Sequence, residues 1–369
     1  AWASYAEGHG DSALPLRGDR AGRHGMAILD DHDLDALAAE PMVAVPGPST
    51  PAIGTPFVFD DGHFYLRRNY LHEVAVAQLI RQRRESAVTP VSAVDDADLR
   101  VLFNGLWLDS EAPQRAAVRH APGKRLFVLT GGPGTGKTTT VLRMLLALAR
   151  DHAARHDGRM PVIRTCAPTG KAAQRLTESL RTGGIAMGEK PSHMPLSEHW
   201  QPLDRAWQPF LDATLAAESG TLHRLLGSRG RHGGFSHHAG NPLTADIVVV
   251  DEASMVDLAM LRALLDALRP DAVLVLVGDA DQLTSVGTGS ILLDLVGAME
   301  GADAEDRVRL HHSFRADTTL VHINDAIRQG DMPAFEQAWR AAGERRAIRR
   351  EAGNTIALKH LLSSWCKAL

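Results

Sequence analysis

The most informative segment of the sequence is a glycine-rich loop that could bind phosphate. Residues 131–138 read Gly-Gly-Pro-Gly-Thr-Gly-Lys-Thr, follow an apolar run typical of a strand, and open a helical pattern. Glycines let successive backbone N–H groups turn inward around a phosphate, and the helix N-terminus adds partial positive charge. Lys137 would reach the outer phosphates of a nucleotide, and Thr138 would place its hydroxyl on Mg²⁺. The predicted nucleotide ligands are Gly131, Gly132, Pro133, Gly134, Thr135, Gly136, Lys137, Thr138 and Thr139.

A pair of adjacent carboxylates follows a second apolar run. Residues 247–250 are typical of a buried strand, and Asp251 and Glu252 come directly after it. Behind a phosphate loop, one carboxylate would hold Mg²⁺ and the other would orient and deprotonate a water molecule. We assign Asp251, with Thr138, to the metal and Glu252 to the water. Because a small-molecule kinase has no need of the second carboxylate, the pair indicates a hydrolase.

A third polar segment follows another apolar run. Residues 278–283 read Gly-Asp-Ala-Asp-Gln-Leu and come after the strand-like residues 272–277. A glutamine at the carboxyl end of a strand beside the nucleotide can hydrogen-bond the γ-phosphate and sense its loss. Gln282 is the candidate for this role. Taken alone, the segment is more typical of an exposed turn.

These segments need a scaffold that brings the ends of several strands together. Four apolar, β-branched runs alternate with helical patterns, at residues 126–130, 162–167, 247–250 and 272–277. Such alternation predicts a parallel sheet covered by helices on both faces. Ligands of these sheets bind outside the carboxyl ends of the strands, which is where all three segments lie. The predicted fold class is therefore α/β, preceded by a small α+β accessory domain.

The accessory domain has its own local signals. Residues 56–68 predict two short strands joined by the turn pair Asp61-Gly62, and residues 70–84 predict a helix. Residues 86–98 are polar and contain proline, which favours a linker. Farther along, residues 183–246 predict a partly helical insertion.

Together these residues resemble superfamily 1 helicases. Residues 167–173 (Ala-Pro-Thr-Gly-Lys-Ala-Ala) are similar to motif Ia of that superfamily, 221–225 to motif Ic, and 310–315 to motif IV. Gln114 matches the glutamine that reads adenine in those enzymes, and Arg315 matches the arginine that approaches the γ-phosphate. The phosphate loop combined with residues 167–173 and 237–243 is typical of the RecD family, the alpha subunits of exodeoxyribonuclease V.

The resemblance implies a fold, an activity and partners. The sheet would be that of a RecA-like P-loop NTPase, with residues 1–95 as an accessory domain for subunit contacts, 96–300 as a first motor domain and 301–369 as the start of a second. The activity would be ATP- and Mg²⁺-dependent 5′→3′ movement on single-stranded DNA. In that family the motor works with RecB-like and RecC-like subunits of a heterotrimer to unwind DNA ends in double-strand-break repair and recombination. Nuclease activity is not expected of this chain.

A basic stretch beside motif Ia supports contact with DNA. Residues 143–181 hold eight Arg or Lys against three acids in a chain whose net charge is −4. A motor that ignores base sequence needs contacts to phosphates. The candidate DNA ligands are Pro168, Thr169, Gly170, Lys171, His223 and Arg224. For Arg143, Arg150 and Arg155 of the same stretch, a solvated helix face is the preferred interpretation.

Composition excludes several classes of protein. Two cysteines among 369 residues cannot form a disulfide framework, and no apolar run reaches the roughly 18 residues that a bilayer span needs. No signal-peptide pattern opens the chain. The expected location is therefore cytoplasmic.

Two alternatives to a DNA helicase subunit remain open from the residues alone. The chain could be a superfamily 1 RNA helicase, because no motif reads the sugar, or an interaction subunit whose nucleotide site serves assembly. The late motifs V and VI, which carry an arginine that stabilises charge on the γ-phosphate, are not found in residues 301–369. The chain by itself is therefore expected to bind ATP·Mg²⁺ and to hydrolyse it slowly.

Overall fold

A computed structural model describes residues 2–18, 21, 25, 28–47, 54–189, 200–230, 233–280, 291–299, 305–312, 314, 323, 326–327 and 330–344. The chain divides into a larger unit, Ala1–Gly132 with Gly136–His312, and a smaller unit, Pro133–Thr135 with Ser313–Leu369. In the described part of the larger unit the elements are α1 (Trp2–Gly8), β1 (Ala13–Pro15), α2 (Asp31–Ala38), β2 (Val43–Ala44), β3 (Phe57–Asp60), β4 (His63–Leu66), α3 (Arg67–Glu85), α4 (Asp96–Leu102), α5 (Ala112–His120), β5 (Leu126–Gly131), α6 (Lys137–Arg155), β6 (Ile163–Ala167), α7 (Gly170–Gly188), α8 (Gln208–Leu215), β7 (Glu218–Thr221), α9 (Leu222–Leu225), β8 (Ile247–Val250), α10 (Leu258–Ala267), β9 (Val273–Gly278), α11 (Ile291–Ala298) and β10 (Arg307–Leu310). In the smaller unit, α12 spans Met332–Glu344.

A small sheet lies near the start of the chain, with strand order β1-β4-β3-β2. Strands β3 and β4 pair antiparallel through Asp61 (φ 45°) and Gly62 (φ 73°). Both residues are left-handed, as a two-residue hairpin turn requires, and the predicted hairpin is confirmed. Phe59 and Phe64 of these strands pack against a small core formed by Ala6, Leu14, Leu16 and Leu34.

Helix α3 joins this sheet to the rest of the larger unit. The predicted helix at residues 70–84 is confirmed and is longer at both ends. It packs along α10, and the buried guanidinium of Arg83 donates hydrogen bonds of 3.0–3.3 Å to three backbone carbonyls, those of Leu268, Arg269 and Ala272. Leu268 and Arg269 directly follow α10, so Arg83 bonds carbonyls near the helix end, where the last turn leaves such groups without partners. Burial lowers the pKa of Arg83 to about 10, which keeps the side chain charged at neutral pH.

Replacing Arg83 with methionine should destabilise the larger unit. Methionine keeps most of the apolar stem but leaves the three carbonyls without a buried donor, so the free energy of unfolding should fall by about 2–3 kcal/mol. Urea unfolding followed by circular dichroism measures this change. The matched control is Arg81→Met, because Arg81 is exposed on the same helix. Equal urea midpoints for the two variants would contradict the role given to Arg83.

A six-stranded sheet forms the centre of the larger unit, with order β10-β5-β9-β8-β6-β7 and all neighbours parallel. Every residue of β5, β8 and β9 is buried, and helices such as α6, α7 and α10 contribute the residues that cover them. The predicted α/β class and the four predicted strands are confirmed. The RecA-like order brings the ends of β5, β9 and β8 next to one another.

The edge strands β7 and β10 were not predicted. Strand β7 reads Glu-Ser-Gly-Thr, and β10 reads Arg-Val-Arg-Leu. Neither resembles the continuous apolar run of a strand buried on both faces, and each lies at one edge of the sheet.

The position of β10 corrects one expectation. Residues 310–315 were expected within a second domain starting at residue 301. Instead, Arg307–Leu310 pairs with Val128–Gly131 of β5, so the start of this stretch belongs to the first sheet. The boundary at residue 95 stays a prediction, and the structure adds that α3 and the six-stranded sheet are in one unit.

The predicted insertion at residues 183–246 contains the end of α7 and the helices α8 and α9. Two isolated bridges, Ser228 to Phe235 and His238 to Asn241, then fold the chain back on itself before β8. In the described residues, no helix combines the length and the apolar character that crossing a membrane requires.

Candidate functional site

The glycine-rich loop connects the end of β5 to the start of α6. Gly134 (φ 77°) and Gly136 (φ 82°) are left-handed, a conformation that costs a side-chain-bearing residue free energy. Lys137, the first residue of α6, folds back over the loop. Its ammonium group donates hydrogen bonds to the carbonyl oxygens of Gly131 (2.6 Å) and Gly132 (2.9 Å).

The negative charges of three carboxylates act on the ammonium group of Lys137. Burial lowers the pKa of Lys137, and the negative charges of Asp279, Asp251 and Glu252 oppose that shift, in that order. The three acids come from the ends of β8 and β9, which follow β5 in the order of the sheet. The strand order therefore brings the predicted phosphate-binding lysine and the predicted carboxylate pair together.

Asp251 is the more firmly held member of the pair. Its backbone N–H donates to the carbonyl of Cys166 in β6 at 2.8 Å, and its Oδ1 accepts from the N–H of Glu252 at 2.9 Å. Burial raises the pKa of Asp251, while the hydrogen bond from Glu252 and the charge of Lys137 lower it. A partly buried carboxylate of this kind is stabilised in its charged form by a nearby cation.

Glu252 has an unusual backbone conformation. Its φ of 52° and ψ of 39° place it in the left-handed region, which is rare for a residue with a long side chain. A 3₁₀ helix, Ala253–Met255, follows at once, and the N–H of Met255 donates to the carbonyl of Glu252 at 2.9 Å. Backbone strain of this kind is concentrated at functional sites.

Asp279 is the residue that sequence reasoning did not assign. The segment containing it was recognised for Gln282, but Asp279 received no role. It directly follows β9, is only 6% exposed, and its charge acts on Lys137 more strongly than that of Asp251 or Glu252. The only sequence signal was an acid directly after an apolar run, and the strand order, which places β9 beside β5, is what brings Asp279 to the edge of the sheet that holds Lys137.

Gln114 lies on α5, which packs against α6, and it is 2% exposed. The position of α5 on α6 is stabilised by Arg143 of α6. Its guanidinium lies 3.8 Å from the carboxylate of Glu111, which directly precedes α5, and 3.9 Å from the ring centre of Phe103. Gln282 and Arg315 lie outside the described residues, so their predicted roles are not tested.

The predicted DNA ligands come from two adjacent strands. Thr169 caps α7 by accepting the N–H of Ala172 at 3.2 Å, and Thr221 caps α9 by accepting the N–H of Arg224 at 3.2 Å. Strands β6 and β7 pair with Ala167 opposite Thr221, so the two helix starts lie side by side. The exposed members of this group are Thr169, Gly170, Lys171, His223 and Arg224.

The basic stretch divides into two sets. Arg143, Arg150 and Arg155 form ion pairs with Glu111, Asp98 and Asp151, and their side chains are only 12–19% exposed. The expected solvated face is therefore wrong for them. Arg143 and Arg150 hold α6 against neighbouring segments, and Arg155 pairs within α6 and also donates to the carbonyl of Thr89. Lys171 and Arg175 of α7, in contrast, are exposed.

The chain is similar in sequence to one domain family and to several named proteins. The AAA domain family matches residues 114–288. RecBCD enzyme subunit RecD of Mycolicibacterium smegmatis is 39% identical over 316 residues, which is 84% of this chain and 49% of that protein. The ATP-dependent RecD2 DNA helicase of Deinococcus radiodurans is 32% identical over 277 residues, covering 74% of this chain and 31% of that protein. The chain thus spans about half the length, or less, of these relatives.

One solved structure, from work on two coordinating Pif1 helicases at forked duplex DNA, aligns with a TM-score of 0.29 and 18% identity. The alignment covers 60% of this chain and 48% of that chain. A similarity this weak does not bear on fold or function, and the fold follows from the strand order described above.

Proposed function

The chain is homologous to the RecD subunits over most of its own length, and from this premise we propose that it is the ATP-dependent motor part of a DNA helicase subunit. It would move 5′→3′ on single-stranded DNA and act with RecB-like and RecC-like subunits in unwinding DNA ends for double-strand-break repair and recombination. The observation that carries the proposal is the grouping of Lys137 with Asp251, Glu252 and Asp279 behind a glycine-rich loop.

Nucleotide binding would exchange one set of acceptors for another at Lys137. The ammonium group now bonds two loop carbonyls, and phosphate oxygens of ATP are charged acceptors that form stronger hydrogen bonds. The N–H groups of the loop and the start of α6 would bind the same phosphates. Buried Gln114 would contact the adenine from α5. A phosphate bound to Lys137 would therefore lie near the three carboxylates whose charges act on that lysine.

The donor set fits Mg²⁺. Asp251 offers a half-buried carboxylate just after β8, and Thr138 offers a half-buried hydroxyl one residue beyond Lys137. Both are oxygen ligands, which Mg²⁺ prefers, together with phosphate oxygens and water. When bound, the ion would neutralise charge that develops on the phosphates.

Glu252 would take the proton of the attacking water. Its left-handed backbone begins the turn after β8, whereas Asp251 is bonded to the neighbouring strand, and we assign the two carboxylates to different partners. General bases of this type act when they lie within hydrogen-bond reach of the proton that they remove. Gln282 and Arg315 would contact the γ-phosphate, as the helicase resemblance implies.

The DNA track would run along the edge formed by residues 168–171 and 223–224. Helix N-termini and exposed cations bind phosphates without reading bases, and here two helix starts lie on neighbouring strands. The track is at the carboxyl edge of the sheet that also holds the nucleotide loop, so one set of strands would position both ligands.

Binding to single-stranded DNA tests this part of the proposal. Lys171→Ala should weaken binding to a fluorescent oligonucleotide for every sequence tried and should lower the slope of log K against log salt by about 1. Arg181→Ala is the matched control, because Arg181 is exposed on the same helix about 15 Å farther along it. Equal salt slopes for wild type and Lys171→Ala would contradict the track.

Two further measurements test the proposed function, namely ATP hydrolysis in the presence of DNA and competition between RNA and DNA for the chain. Single-stranded DNA should stimulate phosphate release from ATP by the wild-type chain, measured in single turnover with protein in excess over ATP. RNA of the same sequence, added as competitor, should displace the DNA less well than DNA does. Stronger displacement by RNA would favour the RNA helicase alternative.

A further inference from the structure

We propose that Gly278 is a positioning residue for ATP hydrolysis, because its missing side chain lets the end of β9 touch the backbone that follows Glu252. The inference rests on the proposed function of the site and adds a residue to it. Gly278 itself makes no contact with nucleotide in this proposal. It acts by setting where the turn carrying Glu252 lies.

The packing around Gly278 leaves no room for a methyl group. A Cβ atom there would lie 2.6 Å from Cδ2 of Leu292, 3.2 Å from the backbone nitrogen of Ser254 and 3.3 Å from that of Ala253. The first contact involves the end of a side chain on α11, which can rotate at the expense of the core. The other two involve backbone atoms of the 3₁₀ helix Ala253–Met255, which can yield only if the turn moves.

The two carboxylates should respond unequally to that movement. Asp251 is anchored to the sheet, because its N–H bonds the carbonyl of Cys166 at 2.8 Å. Glu252 lies one residue nearer to the displaced atoms, and its strained backbone joins the anchored strand to the moving 3₁₀ helix. A methyl group at position 278 should therefore shift Glu252 by a few tenths of an ångström and leave Asp251 close to its place.

Because Glu252 should move and Asp251 should not, Gly278→Ala is expected to slow ATP hydrolysis without changing nucleotide affinity. The three atoms nearest to the added methyl group belong to Leu292, Ser254 and Ala253 and none of them to Lys137, the loop or Asp251, so the nucleotide Kd should be unchanged. The rate of hydrolysis should fall about tenfold, since misplacement by 1 Å can cost about 10²-fold and the expected shift is smaller. A variant that was merely less stable would not show this separation at a temperature where it is folded.

The experiment uses four variants of the full chain. Gly278→Ala carries the full clash, and Leu292→Ala removes the nearest side-chain atom. The double variant Gly278→Ala with Leu292→Ala keeps only the contacts with the backbone of residues 253 and 254. Gly297→Ala is the matched control on α11, because a Cβ there meets nothing within 4 Å.

For each variant, the Kd of a fluorescent ADP analogue and the single-turnover rate of phosphate release from ATP are measured. Gly278→Ala should bind normally and hydrolyse about tenfold more slowly than Gly297→Ala, and the double variant should show the same deficit relative to Leu292→Ala. Equal hydrolysis by the double variant and Leu292→Ala would overturn the inference, because the deficit would then come from Leu292. A parallel loss of binding in Gly278→Ala would also overturn it.

The proposed function fails in a recognisably different way. If the wild-type chain bound the analogue but released no phosphate, with or without DNA, the hydrolytic role of the site would be refuted, and the role of Gly278 with it. If the wild-type chain hydrolysed ATP and Gly278→Ala matched it, only the role of Gly278 would be refuted.

Discussion

Replacing Glu252 with glutamine should slow ATP hydrolysis by about 10²- to 10⁴-fold, the range that a general base contributes. Glutamine has nearly the same size and can keep the left-handed turn, but it cannot accept the proton of the attacking water. Nucleotide binding should be retained, because the backbone N–H of residue 252 still donates to Oδ1 of Asp251. Glu252→Gln should therefore remove proton transfer while the contacts that hold the site together stay in place.

Single-turnover phosphate release and the Kd of a fluorescent ADP analogue measure the two effects. Glu218→Gln is a suitable control, because Glu218 is exposed at the start of β7 and its charge is not among those that act on Lys137. Hydrolysis by Glu252→Gln at the rate of this control would refute the role of Glu252 as the base.

Replacing Lys137 with alanine should weaken nucleotide binding by about 100-fold, corresponding to the low end of the roughly 2–5 kcal/mol that loss of one partner of a buried charge contact costs. Two effects add. The phosphates lose a charged donor, and Asp251, Glu252 and Asp279 lose the cation that compensates them. The pKa of Asp251, already raised by burial, should rise further because the lowering effect of Lys137 disappears.

The same fluorescent analogue measures this loss, and DNA binding serves as the internal comparison. Lys137→Ala should still bind an oligonucleotide, whereas Lys171→Ala should lose affinity for DNA and keep its affinity for nucleotide. If both lysine variants lost both ligands, the assignment of the two residues to separate sites would be wrong.

The sequence was sufficient for the parts of the fold that depend on local pattern. Buried parallel strands have near-continuous apolar runs, so β5, β6, β8 and β9 were predictable, and so was the glycine loop between β5 and α6. The strands β7 and β10 were not, because edge strands tolerate Glu, Ser, Gly and Arg. Their pairing depends on neighbours that are distant in the sequence.

The site shows the same division between local and long-range information. Lys137, Asp251 and Glu252 stand at strand ends that the spacing identifies, and the structure groups their charges. The importance of Asp279 depends on β9 lying between β5 and β8, which is a property of the strand order. The ion pairs of Arg143, Arg150 and Arg155 depend on acids at positions 111, 98 and 151, of which only the last is a near neighbour in the sequence.

The three carbonyls held by Arg83 bear on how this protein can be divided or recombined. A linker-like composition at residues 86–98 suggests a natural place to cut, and a fusion protein that began there would have the whole six-stranded sheet. It would lack α3, however, and the end of α10 would lose the guanidinium that caps it. Helix α3 therefore belongs with the six-stranded sheet in the smallest unit expected to fold, and a chimera should exchange the accessory region only upstream of residue 67.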